Sequence, residues 1–142
     1  MTLFFLGNVF LVDIPKLTKA LEDALNLNHF RASIFKTGVF PSAQHPKIFW
    51  LGVSYGTKKM MALHEKVKKI AAPFKKGGQK EQFIPHITLG RAKRSYMKID
   101  VLPFLKYVYS PTELDINSLS LYESQLLPQG AKYKVLTTFP LN

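Results

Sequence analysis

Apolar residues never run far in this chain without interruption, and the rhythm of the interruptions changes along it. Ile14, Leu17, Leu21, Ala24 and Leu25 recur at steps of three and four, the spacing of one helical face. Asp13 stands where an N-cap belongs and Pro15 falls in the first turn, while Lys16, Lys19, Glu22 and Asp23 occupy the opposite face. A second helix is predicted over residues 57–72, with a stripe of Met60, Leu63, Val67, Ile70 and Ala71. Lys58, Lys59, Lys66 and Lys69 lie on its other side, and Pro73 closes it. The remaining apolar runs are short and bounded by Gly and Pro, which reads as strands. They cover residues 2–7, 30–35, 47–53 and 83–91, with turn chemistry at Gly38, Pro41, Ser42 and Pro46. Residues 75–80, with Gly77 and Gly78, read as a basic loop, and residues 100–107 as a short helix interrupted by Pro103. The tail reads as a hairpin of 113–123 and 133–139 turning at Pro128-Gln129-Gly130.

That order is a loose internal repeat of an αββ-like unit, with Thr2-Leu3 and Thr88-Leu89 at equivalent places. It predicts an α+β fold of two pseudo-repeated lobes, each a mostly antiparallel sheet with helices on its outer face, and a central cleft. At 142 residues the whole chain is the size of one such domain. Hydrophobic residues make up 46% of it, enough for a packed core and too many for disorder. No apolar run approaches the roughly 20 residues that span a bilayer. Residues 1–7 lack the basic start and small-residue cleavage site of a signal peptide. There is no cysteine, so neither disulfides nor thiolate metal sites can form. A cytoplasmic protein is expected.

A net charge of +11 on so small a domain favours polyanionic partners, RNA or DNA first. The plainer reading of that charge is a solubility device, and it says nothing about fold.

The chemistry concentrates in Pro85-His86-Ile87-Thr88-Leu89-Gly90-Arg91. On a strand, residues i and i+2 share a side, so His86 and Thr88 are expected to project together, with Ile87 and Leu89 in the opposite apolar layer. Imidazole can pass a proton near neutrality, and a hydroxyl can donate to a phosphate oxygen. Gly90 would allow close approach, and the planar fork of Arg91 suits bidentate phosphate binding. A His-x-Thr alone is common and is usually an ordinary strand. Here a preceding Pro, a following Gly-Arg and the strong positive charge support the functional reading.

Phe83-Ile84-Pro85-His86-Ile87-Thr88-Leu89-Gly90-Arg91 resembles the second signature of the two-histidine phosphoesterases. More narrowly it resembles that of the RNA 2′,3′-cyclic phosphodiesterases, the LigT-like 2′-5′ RNA ligases. Thr2-Leu3-Phe4-Phe5-Leu6-Gly7 is similar to the family's first signature, a His, any residue and a Thr before an apolar stretch ending in Leu-Gly. Gly38-Val39-Phe40-Pro41 with Ile48-Phe49-Trp50-Leu51-Gly52-Val53 resembles its central hairpin. Leu119 to Glu123, Gly130, Tyr133 and Phe139 resemble its C-terminal one. In that alignment Met1 takes the variable position and the first catalytic His would precede it, together with a strand and a helix. Either the start is placed too late or the chain is N-terminally truncated, and as written it is expected to hold half a site.

The resemblance implies hydrolysis of RNA 2′,3′-cyclic phosphate ends to 2′-phosphates, with 2′-5′ ligation as a side activity. It implies that His86 transfers a proton opposite a second His, that Thr2 and Thr88 hold phosphate oxygens, and that Arg91 contacts phosphate or nucleotide. No metal and no cofactor are expected, the partner is RNA or an oligonucleotide with a cyclic end, and membranes are excluded. A monomer is expected, with association possible through an exposed sheet edge. Because one general acid or base typically contributes 10²–10⁴-fold, roughly that factor is expected to be missing. The alternative is a non-catalytic RNA- or nucleotide-binding module that keeps the cleft. His29, His45 and His64 lack partners at metal-ligand spacing and read as structural or exposed, and Phe49 and Trp50 read as core. Trp50 or Phe49 could also stack on a base, and the lysine face of the second helix could steer RNA.

Overall fold

A computed structural model describes residues 1–75, 82–93 and 99–142. Most of the expected basic loop, residues 76–80, lies outside the described residues. After ten residues outside helix and strand comes one 3-10 turn (Leu11–Asp13), then helix α1 (Ile14–Ala24) and strands β1 (Phe30–Pro41) and β2 (Pro46–Val53). Helix α2 (Thr57–Ala71) and a 3-10 turn (Ala72–Phe74) precede strand β3 (His86–Arg91) and the one-turn α3 (Leu102–Leu105). Strands β4 (Thr112–Ile116), β5 (Ser118–Leu127) and β6 (Gly130–Pro140) complete the α+β chain. Among the described residues no helix is long and apolar enough to cross a membrane.

The chain divides into two compact units that are not its two sequential halves. The first is built from the described residues of Met1–Leu3, Arg31–Ala62 and Glu81–Asp115. Its sheet has the order β3-β2-β1-β4, and β2 runs antiparallel to both β1 and β3. One face of that sheet carries α3: Phe49 meets Phe104 at a ring separation of 5.3 Å, and Thr37 Oγ1 donates to the Leu105 carbonyl at 3.2 Å. Ala32, Ile34, Val53, Met60 and Val101 are buried in this unit.

The second unit is built from the described residues of Phe4–Phe30, Leu63–Lys80 and Ile116–Asn142. Here β5 and β6 form an antiparallel hairpin closed by Pro128 and Gln129, with α1 against β6. Leu17, Leu21 and Leu25, one helical turn apart, are buried together with Phe139 and Leu141. On α2 the expected stripe is buried at Leu63, Val67 and Ala71 in this unit, and His64 is buried among them.

Four expectations are corrected. Residues 2–7 belong to neither sheet, although they are apolar enough: hydropathy marks a segment that can be buried and does not say whether it joins a ladder. Asp13 occupies the N-cap position but makes no capping bond, because it ends a 3-10 turn with helical dihedrals (φ −92°, ψ −14°) instead of the extended ones a cap uses. Gly38 and Pro41 lie within β1 and not in a turn, so the connection shrinks to residues 42–45. The arm expected over 113–123 breaks at Asn117, where β4 leaves one sheet and β5 starts another. Alternation shows that a segment is extended, and it is silent on which strand it joins.

Candidate active site

Strand β3 begins one residue after Pro85, which has no N–H to give a ladder. The Pro85 carbonyl instead accepts from Val53 N–H at 3.1 Å, and pairing then proceeds as Gly52 with His86, Leu51 with Ile87, and Trp50 with Thr88. The next pair is Phe49 with Gly90, so Leu89 is an extra residue in β3. This is a β-bulge on an outer strand, and it leaves Leu89 57% exposed in place of its expected apolar layer. Ile87, opposite Leu51, is half-buried as expected.

The bulge changes which residues share a side. Directly opposed residues of an antiparallel ladder project the same way. Arg91 pairs with Ile48, and Ile48, Trp50 and Gly52 alternate on one face of β2. His86, Thr88 and Arg91 therefore share that face. In a strand without a bulge, Arg91 would point with Ile87 to the other side. Across β1 the same face carries Lys36, Gly38 and Phe40, which pair with Gly52, Trp50 and Ile48.

Trp50 lies over this face because two glycines make room for it. A Cβ at Gly38 would overlap the indole, and one at Gly52 would stand 2.8 Å from Trp50 Cζ3. The Phe40 ring packs on Trp50 at 5.0 Å and on His86 at 5.1 Å, and Trp50 lies 5.8 Å from His86. The buried indole Nε1 has no hydrogen-bond partner among the described residues. By contrast, a Cβ at Gly90 would meet nothing within 4 Å, so no close approach within the described structure requires glycine there.

His86 Nδ1 is 2.7 Å from the Ile84 carbonyl. A carbonyl oxygen only accepts, so Nδ1 carries the proton of the neutral ring and Nε2 carries the free lone pair. The imidazole is thus walled by two aromatic rings, fixed in tautomer, and half-buried, beside an exposed Thr88 hydroxyl and an exposed Arg91 guanidinium. This arrangement can take up a proton at Nε2 and can offer neutral and charged donors to an anion.

A family model of the 2′-5′ RNA ligase superfamily matches residues 1–126. The chain belongs to that superfamily. Members to which it is similar include an RNA 2′,3′-cyclic phosphodiesterase of Aquifex aeolicus, 32% identical over 99% of this chain and 77% of the relative. One of Thermotoga maritima is 32% identical over 96% of this chain and 72% of the relative. The family is one of enzymes. A crystal structure from Thermus thermophilus superposes with a TM-score of 0.76 at 25% identity, covering 99% of this chain and 76% of its own. The fold is also that of LigT from E. coli complexed with 3′-AMP, with a TM-score of 0.75 at 21% identity over 99% of this chain and 75% of that one.

Of the site residues expected from the sequence, three share one face of the sheet: His86, Thr88 and Arg91. Thr2 is exposed, ahead of the first helix and in the same compact unit as β3. The other histidines sit elsewhere. His64 is buried with its ring edge-on to Phe4 at 6.0 Å, His29 Nδ1 is 3.1 Å from the Asn142 carbonyl, and His45 lies in the β1–β2 turn. Sequence reasoning missed Phe40 as a wall of the His86 ring, Lys36 on its face, and the bulge that turns Arg91. Period-two spacing of Gly38-x-Phe40 and Trp50-x-Gly52 was the available signal for the aromatic wall. Nothing in the sequence marks the extra residue.

Proposed function

We propose that this chain hydrolyses the 2′,3′-cyclic phosphate ends of RNA to 2′-phosphates, with His86 Nε2 as a proton-transfer atom. The observation that carries this reading is the Nδ1 contact to the Ile84 carbonyl, which leaves Nε2 of the neutral ring as a base on the face of Thr88 and Arg91. Water attacks phosphorus and gives its proton to Nε2. The bond from phosphorus to the 3′-oxygen breaks, the 3′-oxygen takes a proton from a second acid, and phosphate stays on the 2′-oxygen. Thr88 and Thr2 hold non-bridging oxygens through their hydroxyls, and Arg91 offsets the charge. Proton transfer between imidazoles asks for no metal. A 5′-hydroxyl in place of water would join two ends through a 2′-5′ linkage.

The names of the relatives support the substrate, since they act on the same cyclic ends. The net charge of +11 supports a polyanion. The test is hydrolysis of an oligonucleotide with a 2′,3′-cyclic phosphate end, by the chain and by His86→Ala. Turnover that falls by about 10²–10⁴ in the variant is expected. Binding of the oligonucleotide with no turnover by either protein would show a binding module instead, and unchanged turnover in His86→Ala would remove His86 from the chemistry.

A further inference from the structure

One transverse row of the first unit's sheet reads Lys36, Gly52, His86 across β1, β2 and β3. All three belong to the face that carries Thr88 and Arg91. The middle position has no side chain, and its neighbours close in on it: an added Cβ would be 3.3 Å from Lys36 Cβ and 2.8 Å from Trp50 Cζ3. Adjacent strands lie about 4.8 Å apart, so Lys36 and His86 are separated by roughly 10 Å of sheet. Gly52 and the edge of the Trp50 indole above it lie between them. A lysine carries its ammonium on a flexible four-carbon stem, long enough to pass that edge toward the middle of the row. Lys36 is exposed, and its carbonyl oxygen accepts a hydrogen bond from Tyr109 Oη–H at 3.1 Å. That bond pins the backbone and leaves the ammonium to another role.

We propose that Lys36 is a phosphate-binding residue, whose ammonium reaches over Gly52 to the phosphate group held before His86 and Thr88. The assignment rests on the functional reading above and adds a cation from the opposite side of the site from Arg91. Gly52 admits the edge of the Trp50 indole, and the lysine stem passes beside that edge. The phosphate passes from one negative charge as a cyclic diester to nearly two as a 2′-monoester. A point charge in that position therefore holds the product side of the reaction more strongly than the substrate.

The test uses the full chain with adenosine 2′-monophosphate as the bound probe and a cyclic-phosphate oligonucleotide as the substrate. Losing one charge-assisted contact at an exposed site is expected to weaken binding of the probe about 10-fold in Lys36→Ala. The loss for the cyclic substrate should be smaller, and Lys36→Arg should restore most of both. Lys47→Ala removes the same charge from the other face of the neighbouring strand and should leave both affinities within about 2-fold, which separates local contact from long-range attraction. Equal probe affinity in wild type and Lys36→Ala, with turnover intact, overturns the assignment and leaves the phosphodiesterase reading standing. So does an equal loss in Lys47→Ala. A wild-type chain that neither binds the probe nor turns over the substrate overturns the functional reading, and this assignment with it.

Discussion

Thr88 and Arg91 project from the same side of β3 because Leu89 is bulged out between them. An odd spacing of three would otherwise place them on opposite faces of the sheet. The bulge on this outer strand converts a sequence-adjacent hydroxyl and guanidinium into one anion-facing group.

Arg91→Ala should weaken substrate binding, whereas deleting Leu89 should not. With Leu89 removed the alternation becomes regular, Gly90 and Arg91 keep their partners Phe49 and Ile48, and Arg91 stays on the face of Thr88. Loss of a charged hydrogen bond to a phosphate costs about 1.5–3 kcal/mol, so KM for a cyclic-phosphate oligonucleotide should rise by roughly 10- to 100-fold in Arg91→Ala. In the deletion variant KM should change little. Circular dichroism with Michaelis kinetics checks both. Unchanged KM in folded Arg91→Ala would show that Arg91 does not meet substrate.

Two glycines on the sheet should respond in opposite ways to one methyl group. Gly38→Ala forces its Cβ into the Trp50 ring and should destabilise the fold by about 1–3 kcal/mol in urea titration. Gly90→Ala enters open space and should stay within about 0.5 kcal/mol. Similar midpoints for both variants would contradict the packing described for Trp50.

Phe40→Ala should loosen the His86 ring without removing its proton-transfer atom. The expected result is a fall in kcat of about 10-fold or more with KM little changed, since a small misplacement of a reacting group is costly. Steady-state kinetics would show it, and a change confined to KM would move Phe40 from the histidine to the substrate.

The proposed reaction moves two protons and calls for no metal. Whatever turnover is measured should survive EDTA, because the proposed steps are proton transfers. Loss of activity in EDTA, restored by a divalent ion, would replace the metal-free scheme.

Much of the fold was legible in local pattern. Leu17, Leu21 and Leu25 announce α1, and Met60, Leu63 and Val67 announce α2, because one face of each must be buried for the helix to persist. Where pattern failed, the missing information was non-local. Residues 2–7 are as apolar as a strand but join neither sheet, and β4 and β5 read as one arm while serving two sheets. The His86–Thr88 pairing was legible from period two alone. The aromatic wall and the turn of Arg91 were not, since each depends on what lies across the ladder.

By itself the sequence determined the two longer helices, the basic charge, the family and the shared side of His86 and Thr88, all of which follow from composition, motif and short-range periodicity. Only the tertiary structure decided that Arg91 joins them, that Trp50 rests on two glycines, and that Lys36 shares a row of the sheet with His86. The physical reason is register. A single extra residue in one strand reverses every side chain beyond it, and whether that residue is accommodated as a bulge is settled by the pairing with β2, not by β3.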